Sequence, residues 1–366
     1  MADTAQIAAP PHAVASPVAP TLPEGRDVRA LHRLIFLGLA AVLIGAPFAF
    51  YPVFLMKVLC FGLFALAFNL LLGYGGLLSF GHAAYFGMAS YVCAYAAKAG
   101  LRWDALHVAL GPADETGRRF VDVLVPINLA IPPLSPELSI LAGTCVAALL
   151  GLVFGALAIR RQGIYFAMIT LALAQMAFFF SLQARFTGGE DGIQAVPRGA
   201  LFGTISLADD RAMYGLTALV FLGGLMLIYR IIHSPFGQVL KAIRDNEPRA
   251  VSLGYRVNQY KLAVFVLSAT LAGLAGATKA LVFQLASLTD VHWSMSGEVV
   301  LMTLVGGMGT VFGPIVGALV IVAMETYLAP LGAWVTVIQG TVFVVCVLLF
   351  REGVVGLIQR AIGKPL

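Results

Sequence analysis

Long apolar runs recur along most of the chain and constrain its fold more than any other feature. A helix that crosses a bilayer needs roughly 20 mainly apolar residues, and the runs in this sequence approach that length and are bounded by Arg, Lys, Gly or Pro. Hydrophobic residues make up 60% of the chain and charged residues 11%, whereas soluble domains carry about 25% charged residues. The sequence therefore excludes a soluble globule and predicts an all-α, polytopic transmembrane helical bundle.

The apolar runs predict about eight to ten spans. Residues 299–328 are too long for one span and are interrupted by Gly306-Gly307, Gly309 and Gly313-Pro314. This region is therefore either two crossings or a broken re-entrant element, which needs protein or a cavity around it. Besides this region, the predicted spans are 34–50, 54–72, 77–97, 138–159, 164–182, 213–232, 262–286 and 334–350.

The distribution of Lys and Arg predicts how the bundle is oriented. Cytoplasmic loops carry an excess of these residues, which places the Arg160-Arg161 turn and the segment 232–261 in the cytoplasm. The basic cluster before residue 34 and the apolar run after it are typical of a signal sequence, but residues 45–49 make a poor cleavage site. We therefore predict an uncleaved first span with a cytoplasmic N-terminus. A disordered, Ala- and Pro-rich cytoplasmic tail over 1–25 would precede a transmembrane domain over 26–366.

The sequence offers no pattern for covalent or metal chemistry. ATP-driven machines cradle phosphates with a Gly-x-x-x-x-Gly-Lys-Ser/Thr loop, and the one Gly-Lys pair in this chain, Gly363-Lys364, is followed by Pro365. The six histidines lack metal-ligand spacing and do not form a nucleophile and base pair. The placement of Lys and Arg, rather than the net charge of +5, sets loop orientation, and this charge does not imply nucleic acid. We predict no enzymatic activity and no cofactor, metal or nucleic-acid partner.

The cytoplasmic segment 232–261 predicts two short amphipathic helices. Its apolar residues Phe236, Val239, Leu240 and Ile243 recur at helical spacing, with basic residues off that face. Pro248 breaks or starts a helix, and the short helix over 249–253 is closed by a glycine. Such helices suit a groove on a partner protein or a surface of anionic lipid. The pattern alone does not separate these two alternatives.

A glycine-rich stretch over 73–87 contains the next candidate site. Gly81, Ala84, Gly87 and Ser90 recur at a spacing that is typical of close helix packing. The alternative is a role in lining a substrate path, which His82 at the centre of the stretch favours. A second glycine-rich segment, 187–192, lies on the predicted outer side, where it is either a plain turn or a place where backbone groups meet a ligand.

Ionisable residues inside spans are costly and are default candidates for function. Lys57 lies near the start of its span and is expected to reach the surface. Lys279 lies deeper, and its span is long enough for it to reach the outer interface. Glu325 is expected to be interfacial, and neutral His82 to bond a neighbouring carbonyl. The spans are nearly free of Asp and Glu, which disfavours a proton-coupled secondary transporter.

Several motifs, in order along the chain, resemble the branched-chain amino acid ABC transporter permeases of the LivM type. The resemblance runs from the second span almost to the C-terminus and rests on residues 73–87, 163–171, 187–192, 246–254, 272–276 and 306–314. It implies the ABC importer permease fold in a bacterial inner membrane, without ATP hydrolysis by this chain. The implied partners are membrane lipid, a LivH-like second permease subunit, two cytoplasmic ATP-binding cassette subunits and a periplasmic substrate-binding protein.

The resemblance also implies roles for particular residues. Leucine, isoleucine and valine are the implied substrates, and related permeases for urea or short amides are the alternative. The segment 232–261 is implied to be the coupling loop, whose ATPase-docking residues are Arg244, Glu247, Arg249, Ala250 and Gly254. The resemblance favours contact of Gly188, Gly189 and Asp191 with the binding protein. The candidates for the translocation path, Gly81, His82 and Tyr85, come from the glycine-rich pattern itself, with helix packing as the alternative.

Overall fold

The computed structural model describes residues 36, 38–48, 50–99, 133–332, 334–349, 353 and 355, and the fold is mostly helical. The predicted tail over 1–25 and most of the segment 101–136 lie outside the described residues. The helices are α1 Gly38–Phe48, α2 Pro52–Asn69, α3 His82–Ala99, α4 Pro136–Ala158, α5 Ile164–Gln183, α6 Asp210–Ile232, α7 Pro235–Asp245, α8 Glu247–Ser252, α9 Val257–Phe283, α10 Trp293–Gly306, α11 Gly313–Leu328 and α12 Trp334–Leu349. Four two-residue strands are β1 Ile193–Gln194, β2 Ala200–Leu201, β3 Ile205–Ser206 and β4 Leu285–Ala286.

Helix α2 forms the centre of the bundle. It is apolar on every side, which is the pattern of a helix buried all round, and a π-helical turn, Leu70–Tyr74, extends it. The Phe64 ring stacks on Phe86 of α3 at 4.5 Å between centroids. Helix α2 also packs closely on α6, because a Cβ added to Gly224 of α6 would lie 2.5 Å from a methyl carbon of Leu63 of α2. By contrast, α4, α5 and α6 expose large apolar side chains such as Leu149, which suit lipid or another subunit.

Glycines bring α3, α4 and α9 into close contact. A Cβ on Gly276 of α9 would lie 2.0 Å from the Phe86 carbonyl oxygen, and one on Gly143 of α4 would lie 2.5 Å from the Ala89 carbonyl oxygen. Gly87 of α3 allows an equally close approach to the turn before α10, because its added Cβ would lie 2.3 Å from a methyl carbon of Val291. Within the glycine-rich stretch, Gly87 permits such a close approach, and a role of the stretch in lining a substrate path stays a prediction.

Helix α3 begins later than the predicted span 77–97. Its first residue is His82, and the backbone before it turns through Gly76, whose φ is +68°. Hydroxyl groups accept hydrogen bonds from three amides at this end: Thr170 Oγ1 from Phe80 N (3.2 Å), Ser79 Oγ from Gly81 N (3.2 Å) and Ser296 Oγ from Ala83 N (2.9 Å). The helix can begin inside the bundle because side chains of α5 and α10 satisfy its free N–H groups.

The region 299–328 forms two helices joined by a glycine-rich turn. The turn between α10 and α11 uses positive φ at Gly307 (+122°) and Gly309 (+79°). The two helices touch along their backbones, because a Cβ on Gly317 would lie 1.8 Å from the Met302 carbonyl oxygen. Helix α10 has 14 residues and α11 has 16, so they are about 21 and 24 Å long, shorter than the roughly 30 Å of a bilayer core.

Five helices in the described ranges are long and apolar enough to cross a membrane: α2 with its π turn, α4, α5, α6 and α9. The chain is therefore a multi-pass membrane protein, and the larger count of eight to ten spans stays a prediction. The bundle has two distinguishable ends. We call the one with α7, α8 and the turn at Gln162 the basic end, and the one with the four short strands the hairpin end.

Candidate functional site

Two capped helices, α7 and α8, build the site at the basic end. The Ser234 hydroxyl accepts from Gly237 N at the start of α7, and the Asn246 side chain accepts from Arg249 N at the start of α8. Helix α7 buries Leu240 and Ile243. The prediction of two short amphipathic helices is confirmed, and Asx- and Ser-type caps explain where each begins.

Part of the predicted docking set is engaged inside the protein. Glu247 accepts from Lys261 Nζ at 2.8 Å and from Gln162 Nε2 at 2.9 Å. This carboxylate thus ties α8 to α9 and to the turn between α4 and α5. Ala250 is 3% exposed and packs in a small cluster with Ile243 and Val257. Ala250 is therefore buried under the loop, and Glu247, which is 28% exposed, fastens the loop to the bundle.

Arg244 connects α7 to two glycine turns of the bundle. Its guanidinium donates to the Gly73 carbonyl oxygen, and its methylene groups pack on Gly76, where an added Cβ would lie 2.8 Å from Cγ. Its Nη1 atom also lies beside Gly309, 3.7 Å from the position of an added Cβ. Arg244 therefore contacts both the turn after α2 and the turn between α10 and α11.

Asn69 joins these two turns to each other. Its Nδ2 atom donates to the Thr310 carbonyl oxygen at 2.8 Å, and its Oδ1 atom accepts from Gly309 N at 2.9 Å. The turns are in backbone contact, because a Cβ on Gly73 would lie 2.7 Å from Gly309 N. A buried amide that bonds both ways holds its partners in one fixed arrangement. A displacement of Arg244 would therefore act on both turns together.

Lys241 forms a second contact from α7 to the bundle. Its Nζ atom lies 5.5 Å from the centre of the Tyr74 ring. Burial, and after it the nearby Arg244 guanidinium, lower the pKa of Lys241 from its ordinary value of 10.5, while Asp245 acts in the opposite direction. The aromatic face partly offsets the loss of hydration of the ammonium group.

Exposed apolar residues lie at the end of α8 and just after it. Val251 is 57% exposed, Leu253 68% and Tyr255 41%, and Gly254 between them has a φ of +86°. Arg249 is exposed beside this patch. Val251 and Leu253 were absent from the predicted docking set. The sequence indicated them only by two apolar residues within three positions of Gly254, the glycine that ends the helix.

The three residues predicted for a translocation path lie together at the start of α3. His82 is completely buried, and its Nε2 atom is 2.8 Å from the Ser268 hydroxyl, which donates to the Ala67 carbonyl oxygen. The Tyr85 ring lies 5.7 Å from the His82 ring, edge to face, and Tyr85 is 1% exposed. A Cβ on Gly81 would lie 3.0 Å from the Thr170 carbonyl oxygen. In this arrangement the three residues form packed protein interior.

The turn predicted to contact a binding protein lies at the hairpin end. Gly188 and Gly189 have φ values of +78° and +64°, and the backbone turns here because only glycine adopts such angles readily. Asp191 is exposed. The turn leans on the strand pair β1–β4, since a Cβ on Gly192 would lie 2.2 Å from the Ala286 carbonyl oxygen. The plain turn geometry accounts for the glycines, and Asp191 is the member that faces outward.

Two ion pairs lie within the bundle. Lys57 Nζ bonds Glu325 Oε2 at 3.1 Å, and both side chains are about one-quarter exposed, at 27% and 25%. Lys279 Nζ bonds Asp290 Oδ2 at 2.6 Å, with side chains 10% and 4% exposed. The prediction that Lys279 reaches the outer interface is wrong, because a carboxylate from the segment after α9 holds it inside. Glu298, beside Glu325, was also missed, because the predicted span began at residue 299.

Comparison with known proteins identifies the family. The family model of the branched-chain amino acid transport system permease component matches residues 51–350. The chain belongs to this permease family. No solved structure matches the permease. The family is that of a transport component, so this permease is not itself an enzyme. Among the residues that the structure describes, no group of three His, Cys, Asp or Glu side chains could hold a metal ion.

Individual relatives of the permease are distant. The high-affinity branched-chain amino acid transport system permease protein LivM of Escherichia coli (strain K12) is 26% identical over 231 residues, which cover 57% of this chain and 54% of that protein. The probable LivM permease of Methanocaldococcus jannaschii is 25% identical over 288 residues, or 75% and 80% of the two chains. The ribose import permease protein RbsC of Bacillus subtilis is 27% identical over 197 residues, or 49% and 58%. The match spans about half the length of the Escherichia coli relative.

Proposed function

We propose that this permease is the membrane-spanning subunit of an ATP-driven importer for leucine, isoleucine and valine. Its partners are a second permease subunit, two cytoplasmic ATP-binding cassette subunits and a periplasmic binding protein. The basic end faces the cytoplasm, because the Arg160-Arg161 turn and the basic α7–α8 segment lie there. The protein resides in a bacterial inner membrane with a cytoplasmic N-terminus.

The observation that carries the proposal is the exposed patch of Val251, Leu253 and Tyr255 on a braced support. Apolar side chains exposed in water on a short capped helix favour insertion into a groove of a partner protein. The Glu247–Lys261 pair, at 2.8 Å, holds this helix to α9. The patch is therefore presented on a fixed base, as a docking surface requires.

A route for force leads from this surface into the bundle. The partner would press on α8, and α7 would move with it through the shared contact of Ala250 with Ile243. Arg244 would pass the displacement to the turns at Gly73 and Gly309. Substrate would then cross as the helices attached to these turns reorient, without a covalent intermediate.

Co-purification tests the subunit assignment. We would extract the tagged permease from its native membranes in mild detergent and identify the retained proteins by mass spectrometry. The expected result is an ATPase and a second permease, with the ATPase lost in Leu253→Asp. The matched control is Ile205→Asp, which introduces the same charge at an apolar residue that is 53% exposed at the hairpin end. It should retain the ATPase.

Two results would contradict the proposal. A permease that purifies alone and still moves solute in liposomes is a stand-alone secondary carrier. Loss of the ATPase with Ile205→Asp and its retention with Leu253→Asp would place docking at the hairpin end and reverse the orientation. For the substrate class, uptake of labelled leucine should exceed uptake of urea, short amides and ribose when the co-purified complex is reconstituted with its binding protein.

A further inference from the structure

The Lys279–Asp290 pair is the most deeply buried ion pair among the described residues. Lys279 projects from the last turns of α9, and Asp290 ends the 3₁₀ turn Leu288–Asp290 that follows β4. Asp290 Oδ2 also accepts from Ser287 N at 3.3 Å. Charged groups inside a membrane bundle are expensive and are retained where they pair or act.

A polar group without a partner lies beside this pair. Tyr91 of α3 is completely buried, and its hydroxyl has no hydrogen-bond partner in the described part of the chain. Tyr91 lies four residues, about one helical turn, beyond Gly87, which packs against Asp290. A phenol can donate one hydrogen bond and accept others, and a buried hydroxyl that does neither is unfavourable. The site therefore has a donor available for an additional acceptor, which a ligand could supply.

The pair lies beneath the surface that would receive substrate. The turn at Gly192 rests on the Ala286 carbonyl oxygen of β4, and the chain continues from β4 directly to Asp290. On the other side, a Cβ on Gly87 of α3 would lie 2.8 Å from the Asp290 carbonyl carbon. The two-residue pairing of β1 with β4 and the close approach of Gly192 to Ala286 tie this segment to the outer turn. Substrate entry would require a displacement of the segment that separates Asp290 from Lys279.

We propose that Lys279, Asp290 and Tyr91 form a binding site for the charged head group of a zwitterionic α-amino acid. In the arrangement seen here, the two charges satisfy each other. With substrate bound, Asp290 takes the α-ammonium group, while Lys279 and the Tyr91 hydroxyl take the α-carboxylate. The substrate brings two opposite charges, so the single Lys279–Asp290 pair is replaced by two pairs between protein and substrate. No uncompensated charge therefore enters the bundle. The site selects amino acids over urea, amides and sugars, which lack both charges.

This proposal rests on the proposed function and is tested in the reconstituted complex with its binding protein. Tyr91→Phe removes only the unpaired hydroxyl, so the complex should assemble normally. Leucine uptake should fall about tenfold, the loss expected for one hydrogen bond to a charged group. ATPase stimulation by the loaded binding protein should be unchanged. Tyr214→Phe is the matched control: its hydroxyl donates to the Leu43 carbonyl oxygen at 2.7 Å, so it should lower stability and leave uptake per assembled complex unchanged.

A double variant separates substrate binding from a purely structural clasp. Lys279→Met with Asp290→Leu removes both charges together, which leaves neither group unpaired and preserves apolar packing. A head-group site predicts assembly, stimulated ATPase activity and loss of leucine uptake by at least tenfold. Normal uptake in this double variant, or in Tyr91→Phe, would overturn the proposal. If the double variant fails to assemble, the result for Tyr91→Phe decides.

Failure of this proposal is distinguishable from failure of the proposed function. The unmodified complex must first retain its ATPase and take up leucine, which establishes the importer independently of these residues. Normal uptake in the variants would then refute only the head-group site. An unmodified complex that takes up urea or ribose but not leucine would refute both the substrate class and the site.

Discussion

Replacing Arg244 with alanine tests whether movement of α7 reaches the membrane-embedded helices. The guanidinium donates to the Gly73 carbonyl oxygen and packs against Gly76. A hydrogen bond from a charged donor contributes about 1.5–3 kcal/mol. Arg244 also contacts Asp245, and the two side chains are 40% and 68% exposed, respectively. An ion pair this exposed adds at most about 1 kcal/mol. A loss of about 2 kcal/mol lowers the ratio of docked to undocked α7 by roughly thirtyfold.

The assay is the number of substrate molecules imported per ATP hydrolysed by the reconstituted complex. Arg244→Ala should leave the complex assembled and its ATPase active, because the exposed patch at Leu253 is untouched. Uptake per ATP should fall, and the roughly thirtyfold change in the ratio of docked to undocked α7 sets the upper limit of that fall. Arg244→Lys should give an intermediate value, because an ammonium keeps the charge but lacks the planar guanidinium.

Arg256→Ala is the matched control, because Arg256 is an exposed arginine of the same loop. It should change uptake per ATP by less than about twofold, as expected for a surface charge. Equal uptake per ATP in Arg244→Ala and the unmodified complex would refute the reasoning that this contact transmits force. Loss of the ATPase subunit in Arg244→Ala would refute it in another way, by making Arg244 part of the docking surface.

Two further substitutions have expected outcomes in thermal unfolding of the purified protein in detergent. Gly317→Ala places a Cβ 1.8 Å from the Met302 carbonyl oxygen and should destabilise the fold by about 3 kcal/mol, the upper range for overpacking. Gly297→Ala on α10 has open space and should be neutral; equal melting of the two variants would argue against the tight α10–α11 contact. Glu247→Gln leaves the Lys261 ammonium, 7% exposed, without a charged partner. It should cost about 1–2 kcal/mol, less than a fully buried pair because Glu247 is 28% exposed, and unchanged melting would count against the bracing role.

Local sequence signals predicted the basic end well. The apolar spacing of Leu240 and Ile243, and the positions of Pro248 and Gly254 around the second helix, are properties of short stretches of chain. Such signals operate within a few residues, so they can be recognised without knowing the tertiary structure. The glycines in the turn between α10 and α11 indicated an interruption in the same way, although the sequence left open whether it was a crossing or a re-entrant element.

Contacts between distant segments could not be predicted in this way. The start of α3 depends on hydroxyls of Thr170 and Ser296, which are 90 and 213 residues away from the amides they bond. Lys279 was expected at the surface because its partner, Asp290, lies beyond the end of α9. The resemblance implied a docking role for Glu247, whereas its pairing with Lys261 ties it to the protein itself. Residue type indicates which interactions are possible, and the fold selects among them.

The central position of α2 has a consequence for how the protein is made. Ala67 meets its hydrogen-bond donor Ser268 only 201 residues later in the chain, and Asn69 meets Thr310 after 241 residues. At a synthesis rate of about 5–20 residues per second, α2 waits roughly 10–40 s for α9. A helix that is apolar around most of its surface tolerates lipid during that interval as well as it later tolerates protein. The nascent bundle is therefore assembled around its oldest buried helix and closed by its newest segments.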